Sequence, residues 1–105
     1  MLLAIDAGNT NIVFAVFDGD TIKGQWRCST TVERTADELG VWLHHLFTLS
    51  DVPKDAITGA IIATVVPAAE FSLKTLCRRY FNVEPMLVGD PAVDLDMKII
   101  MDRPS

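Results

Sequence analysis

The stretch Leu2-Leu3-Ala4-Ile5-Asp6-Ala7-Gly8-Asn9-Thr10-Asn11-Ile12-Val13-Phe14-Ala15-Val16-Phe17 decides the fold of this 105-residue chain. One apolar run ends at Asp6, a short loop of small and polar residues follows, and a second apolar run spans residues 12–17. In the second run the odd-numbered and the even-numbered residues are all apolar, which is typical of a strand buried on both faces. Two strands joined by so short a link must pair in antiparallel fashion, so the stretch predicts a buried hairpin.

A third strand is predicted directly after this hairpin. The turn signal Asp18-Gly19-Asp20 precedes residues 22–28, where Ile, Gly, Trp and Cys alternate with Lys, Gln and Arg. Strict alternation of apolar and polar residues indicates a strand with one solvent-exposed face, near the edge of a sheet. The first three strands are therefore expected to form an antiparallel meander.

The remaining chain alternates helical and strand patterns. Thr35-Ala36-Asp37-Glu38 has the pattern of a capping box and predicts a helix through Leu49, followed by a buried strand within Gly59–Val66. Pro67 fits the first turn of a second helix, and Met86–Val88 a fifth strand. Lys98–Met101 is expected to begin a sixth strand. The order β-β-β-α-β-α-β predicts an α/β domain with a mixed sheet, because strands that return through helical crossovers are parallel.

Composition excludes some classes of function. Lys and Arg number 9 against 14 Asp and Glu, a net charge of −5, which argues against a nucleic-acid or anionic-membrane binder. No apolar run approaches the roughly 20 residues that span a bilayer, and the amino terminus has no basic leader. We therefore expect a cytoplasmic protein in which Cys28 and Cys77 are reduced.

The loop after the first strand is the strongest candidate for chemistry. Gly8 allows close backbone approach, so amides around Asn9 and Thr10 can surround phosphate oxygens as an anion-binding nest. Asp6 at the strand end suits Mg²⁺ or its bound waters, because hard cations prefer carboxylate oxygen. The alternative is an ordinary hairpin turn, for which Gly-Asn-Thr is common chemistry. Both interpretations remain open from these residues alone.

Other polar groups fit solvated or packed positions better than a ligand site. They are His44 and His45, the acidic-loop residues Asp90, Asp94 and Asp96, and the cations Arg34, Arg78 and Arg79. Adjacent histidines on a helix point about 100° apart and cannot share a metal. The three aspartates lack the spacing and the distal glutamate of an EF-hand. The arginines are expected in exposed ion pairs.

Several blocks of the sequence occur together in a known family. They are Asp6-Ala7-Gly8-Asn9-Thr10, Trp26-Arg27 with Ser29-Thr30, Arg34-Thr35-Ala36-Asp37-Glu38, Val65-Val66-Pro67, Arg79-Tyr80-Phe81 and Val83-Glu84-Pro85. In this order the chain resembles the N-terminal half of the type III pantothenate kinases, of the sugar kinase, Hsp70 and actin superfamily. The resemblance implies an RNase H-like (actin-like ATPase) domain. Residues 1–105 would then be the phosphate-binding half-domain of a two-domain kinase whose C-terminal half is absent.

The resemblance also implies an activity and a set of site residues. The family phosphorylates pantothenate with ATP, the first step of coenzyme A biosynthesis, as a cytoplasmic homodimer that needs Mg²⁺ and K⁺ or NH₄⁺. The implied ATP-binding residues are Asp6, Ala7, Gly8, Asn9, Thr10, Asn11, Ile12 and Val13. Asp6 would hold Mg²⁺ through water. Neither nucleic acid nor membrane is an expected partner.

The end of the chain departs from the family pattern. Met101 stands where the family usually has a substrate-contacting Tyr, and it is the candidate substrate-binding residue here. The Gly-Ala-Asp-Arg segment that supplies the general base is expected just beyond Ser105, so this piece alone is expected to be inactive. Two alternatives remain: a non-catalytic ATP-binding or regulatory module, as in accessory factors catalogued as transcriptional activators, or an interaction protein whose hairpin is only a turn.

Overall fold

The predicted hairpin lies at the centre of a mixed sheet. The computed structural model describes residues 1–31 and 34–88. Its elements are β1 (Leu2–Ala7), β2 (Asn11–Asp18), β3 (Thr21–Ser29), α1 (Ala36–Leu49), a 3₁₀ turn (Lys54–Ala56), β4 (Gly59–Thr64), α2 (Pro67–Tyr80) and β5 (Pro85–Leu87). The acidic loop Gly89–Asp96 and the strand expected from Lys98 lie outside the described residues.

The strand order within the described residues is β3-β2-β1-β4-β5. β1 pairs antiparallel with β2, and β2 pairs antiparallel with β3, which lies at an edge. On its other side β1 pairs in parallel with β4, and β4 in parallel with β5. The predicted meander, the edge position of β3 and the mixed sheet are therefore confirmed.

Local sequence signals fix the starts of both helices. The Thr35 Oγ1 accepts a hydrogen bond from the Glu38 amide at 3.2 Å, and the Thr35 amide donates to Glu38 Oε1 at 3.2 Å. This is the reciprocal capping box expected before α1. Pro67 occupies the first turn of α2, where its missing N–H has no helical acceptor to lose.

Both helices pack on one face of the sheet. Leu39, Leu43 and Phe47 recur every four residues along α1 and are at most 2% exposed. Leu73, Leu76 and Cys77 form the buried stripe of α2. The facing strand residues are Leu3, Ile5, Ala7, Ile12, Phe14, Val16, Ala60 and Ile62. Burying each large aliphatic or aromatic side chain contributes about 1.5–3 kcal/mol.

The opposite face of the sheet carries smaller side chains. Ala4 and Ala15 lie opposite each other in the β1–β2 register, and with Val13 they form a separate buried cluster. Asp6 pairs with Val13 in the register and so lies on this second face. The last two residues of β1 therefore lie on different faces, because successive strand residues point to opposite sides of the sheet. Asp6 lies on the second face, and Ala7 lies on the helix-covered face.

Candidate functional site

The β1–β2 loop (Gly8–Thr10) connects the carboxyl end of β1 to the start of β2. The Gly8 amide donates to the Asn11 carbonyl oxygen at 2.9 Å, which closes the hairpin. Asn9, Thr10 and Asn11 are exposed, and Gly8 is half-buried. The backbone hydrogen bonds formed within residues 1–31 and 34–88 include none donated by the amides of Asn9 or Thr10. These donors are available to an external anion such as a phosphate.

The space beside the Gly8 Cα is not filled by other atoms of the hairpin. A Cβ placed on Gly8 would approach only the Asn11 carbonyl oxygen, at 3.4 Å, and Gly8 is not in the left-handed region. Gly19, in the next turn, differs because its φ of +61° strains any L side chain. The backbone requires glycine at position 19 but not at position 8. Close approach of a ligand supplies a physical reason for glycine at position 8.

Asp6 lies at the end of β1, one residue from the buried Ala7, and it is half-buried. The part of the chain that the structure describes contains no group of three His, Cys, Asp or Glu side chains able to enclose a metal ion. Mg²⁺ is commonly held by one or two carboxylates together with phosphate oxygens and waters. Asp6 beside a loop with available amides fits that kind of shared site.

The β4–α2 connection borders the same end of β1. The Val65 amide donates to the Ala7 carbonyl oxygen at 3.1 Å, which continues the β1–β4 pairing past the end of the strand. Thr64 Oγ1 accepts from the Val66 amide at 2.9 Å and donates to the Val66 carbonyl at 3.1 Å. This local turn ends β4 and starts α2 at the carboxyl edge of the parallel strands, where ligands of open α/β sheets bind.

Thr30 supports the β1–β2 loop from the end of β3. Its Oγ1 donates to the Gly8 carbonyl oxygen at 2.7 Å, and its amide donates to the Thr10 carbonyl oxygen at 2.9 Å. No role was predicted for Thr30, although its block contributed to the family resemblance. A signal was present, because the antiparallel pairing of β2 with β3 brings the residue after Ser29 beside the loop.

The structure divides the eight candidate ATP-binding residues. Ala7 and Ile12 point into the helix-covered core and are 1% and 3% exposed, so their side chains are not accessible. Val13 is buried on the other face. Asp6 and the exposed residues 9–11 are brought together around Gly8. Met101, the candidate substrate residue, lies outside the described residues.

The arginines behave in two ways. Arg78 pairs with Glu84, and Arg79 pairs with Asp37 at 3.1 Å, all with exposed side chains, as expected. Arg34 does not follow this expectation within the described residues. It is half-buried, and its guanidinium is near enough to Cys28 to oppose the rise in the pKa of that thiol. His44 and His45 are exposed, in agreement with the sequence.

Cys28 and Cys77 are both free thiols, as predicted. Cys77 is completely buried, and burial raises the pKa of its thiol to about 12. Burial also raises the pKa of Cys28, although the nearby Arg34 guanidinium opposes the shift. Neither thiol is therefore activated as a nucleophile.

The strand order and the hairpin at the end of β1 define an α/β domain with the actin-like ATPase fold. A protein assigned as an N-acetylglucosamine kinase of Porphyromonas gingivalis has the same fold, with a TM-score of 0.57 and 14% identity. That similarity covers 83% of this chain and 34% of the kinase. The chain belongs to the type III pantothenate kinase family, whose family model matches residues 2–105.

Individual relatives agree with this assignment. The chain is 65% identical over 104 residues to a type III pantothenate kinase of Paramagnetospirillum magneticum, and 57% identical to one of Rhodospirillum rubrum. These matches cover 99% of the chain but only 40% of each relative. In residues 1–31 and 34–88, no helix has both the length and the apolar character needed to cross a membrane.

Proposed function

We propose that this chain is the N-terminal, phosphate-binding part of a type III pantothenate kinase. The complete polypeptide transfers the terminal phosphoryl group of ATP to the terminal hydroxyl of pantothenate. The observation that carries this proposal is the family match over residues 2–105. The coverage of 40% of each relative supports a further part of the enzyme beyond these residues.

In this proposal the β1–β2 loop binds the phosphates of ATP. The available amides of Asn9 and Thr10 donate to phosphate oxygens, and Gly8 lets the backbone approach them closely. Asp6 holds Mg²⁺ through water, and the ion supplies charge neutralisation on the phosphates. Phosphoryl transfer depends mainly on positioning and electrostatic stabilisation, which is the contribution these residues make.

The remaining parts of the activity belong to the same proposal. The general base and the rest of the ATP and pantothenate sites would come from outside residues 1–105, with Met101 contributing to the pantothenate site. A monovalent cation, K⁺ or NH₄⁺, a homodimer and a cytoplasmic location are also proposed. The net charge of −5 supports a small-molecule substrate over nucleic acid.

A pair of glycine variants in the complete polypeptide tests the role of the loop. Gly8→Ala is expected to leave the melting temperature almost unchanged, because the added Cβ approaches only the Asn11 carbonyl oxygen. It is expected to weaken ATP binding by an order of magnitude or more, because the methyl group occupies space needed by a phosphate. Gly19→Ala is the matched control: its φ of +61° predicts a destabilisation of about 1–2 kcal/mol without loss of ATP affinity.

Calorimetric titration with Mg²⁺ and ATP and a coupled assay with pantothenate give the two readouts. Loss of affinity in Gly8→Ala alone supports the proposal. Equal ATP affinity in Gly8→Ala and the wild type would indicate that the hairpin is an ordinary turn with no role in phosphate binding. ATP binding by the wild type without phosphorylation of pantothenate would favour the non-catalytic ATP-binding module.

A further inference from the structure

Thr30, the residue directly after β3, makes two hydrogen bonds to the β1–β2 loop. The hydroxyl binds the carbonyl oxygen of Gly8, and the amide binds the carbonyl oxygen of Thr10. The first and last carbonyls of this three-residue loop are thus both held from the side of β3. The loop has a further closing bond from the Gly8 amide to the Asn11 carbonyl oxygen.

The hydroxyl bond has a consequence for the next amide. In a trans peptide the carbonyl and the N–H of the following residue point in opposite directions, and no cis peptide occurs in the described residues. Fixing the Gly8 carbonyl toward Thr30 therefore directs the Asn9 N–H away from Thr30. Asn9 is exposed, and its amide donates to no backbone carbonyl within residues 1–31 and 34–88.

We infer that Thr30 is a positioning residue for phosphate binding: its hydroxyl fixes the Gly8–Asn9 peptide so that the Asn9 amide faces the nucleotide before the nucleotide binds. This inference rests on the proposed function. An amide already aimed at an anion loses less conformational entropy on binding, so Thr30 raises affinity without touching the ligand. The β-branched side chain also restricts its own rotamer, which strengthens the orientation.

The test uses the complete polypeptide with Thr30→Val and Thr30→Ser. Valine keeps the shape but removes the hydroxyl donor, whereas serine keeps the donor. We expect Thr30→Val to raise the KM for ATP about tenfold, the equivalent of one lost hydrogen bond, with little change in the KM for pantothenate. Thr30→Ser is expected to remain within about twofold of the wild type. Thr75→Val is the control, because Thr75 Oγ1 makes a comparable bond to the Phe71 carbonyl oxygen at 2.8 Å, on α2.

A second readout needs no nucleotide. In the ¹⁵N spectrum of the free protein, the Asn9 amide signal is expected to shift in Thr30→Val, but not in Thr30→Ser or Thr75→Val. Should Thr30→Val fail to fold, Thr30→Ala and Thr30→Ser give the same comparison. Equal ATP affinity in folded Thr30→Val and wild type, or an equal loss in Thr30→Ser, would overturn this inference alone. A wild type that binds no ATP would overturn the proposed function and this inference with it.

Discussion

Tyr80 donates its hydroxyl hydrogen to the carboxylate of Asp37, which joins the last turn of α2 to the first turn of α1. Arg79 donates to the same carboxylate oxygen at 3.1 Å. The Tyr80 hydrogen bond, followed by that of Arg79, lowers the pKa of Asp37 below its ordinary value of 3.8, and the same hydrogen bond raises the pKa of Tyr80. One exposed carboxylate therefore connects the two helices that cover the sheet.

This contact predicts a pH-dependent contribution to stability. A lowered pKa in the folded state means that the stabilisation is present above about pH 3.8 and is lost as the pH falls through the lower, folded-state value. Asp37→Asn is expected to melt below the wild type at pH 7, and the difference is expected to shrink below pH 3.8. Thermal melts from pH 7 to pH 2.5 measure it, with Asp20→Asn in the β2–β3 turn as control. A difference that stays constant with pH would contradict the assignment.

The substitution Gly40→Ala is expected to change the free energy of unfolding in opposite directions in the wild type and in a Tyr80→Ala background. A Cβ at Gly40 would lie 2.8 Å from the ring of Tyr80, so Gly40→Ala should destabilise the wild type by about 1 kcal/mol despite better helix propensity. In a Tyr80→Ala background the ring is gone, and the same substitution should stabilise by about 1 kcal/mol. Denaturant unfolding of the four proteins tests this double-mutant cycle. The same sign in both backgrounds would show that the ring is not the obstacle.

The two thiols predict different rates of alkylation. Cys77 is completely buried and its pKa is raised to about 12, whereas Cys28 is half-buried beside Arg34. Iodoacetamide at pH 8.5 should therefore modify Cys28 first, and Cys77 only when the domain unfolds. Peptide mass spectrometry over time measures both rates, with protein in denaturant as the reference. Comparable rates in the folded protein would contradict the burial of Cys77 between α2 and the sheet.

Asp6 predicts a change in metal dependence. In the complete polypeptide, Asp6→Asn is expected to reduce turnover by orders of magnitude and to raise the Mg²⁺ concentration needed for half-maximal activity. In the proposed function, the cause is the loss of a carboxylate that orients the waters of the ion. Magnesium titrations at saturating ATP measure this shift, while circular dichroism confirms folding. An unchanged Mg²⁺ requirement would remove Asp6 from the metal site.

Much of the fold follows from local patterns. The two-sided apolar run of β2, the alternation in β3 and the capping box of Thr35 and Glu38 each depend on neighbouring residues, so each was predictable. Element ends were less so: β4 stops at Thr64 rather than continuing to Val66, because the Thr64 side chain forms a turn with the Val66 backbone. That competition between side chain and strand is not visible in the apolar pattern.

The candidate site was only partly predictable. Asp6 and the polar loop were evident from their place between two buried strands. The role of Thr30 depends on pairing between β2 and β3, and the contact of Arg34 with Cys28 depends on the path of the chain before α1. The space around Gly8 is visible only in the structure. In the sequence, a glycine required by a turn cannot be distinguished from a glycine required by a ligand.

The central position of β1 has a consequence during synthesis. Leu2 pairs with Phe17 across the hairpin and with Gly59 across the parallel side, so one partner emerges from the ribosome long before the other. At about 5–20 residues per second, roughly 2–8 seconds separate the synthesis of Phe17 from that of Gly59. Through that interval one side of β1 presents unpaired backbone groups to any neighbouring nascent chain. Codon usage that slows elongation before Gly59 would prolong this vulnerable state and increase misassembly between chains.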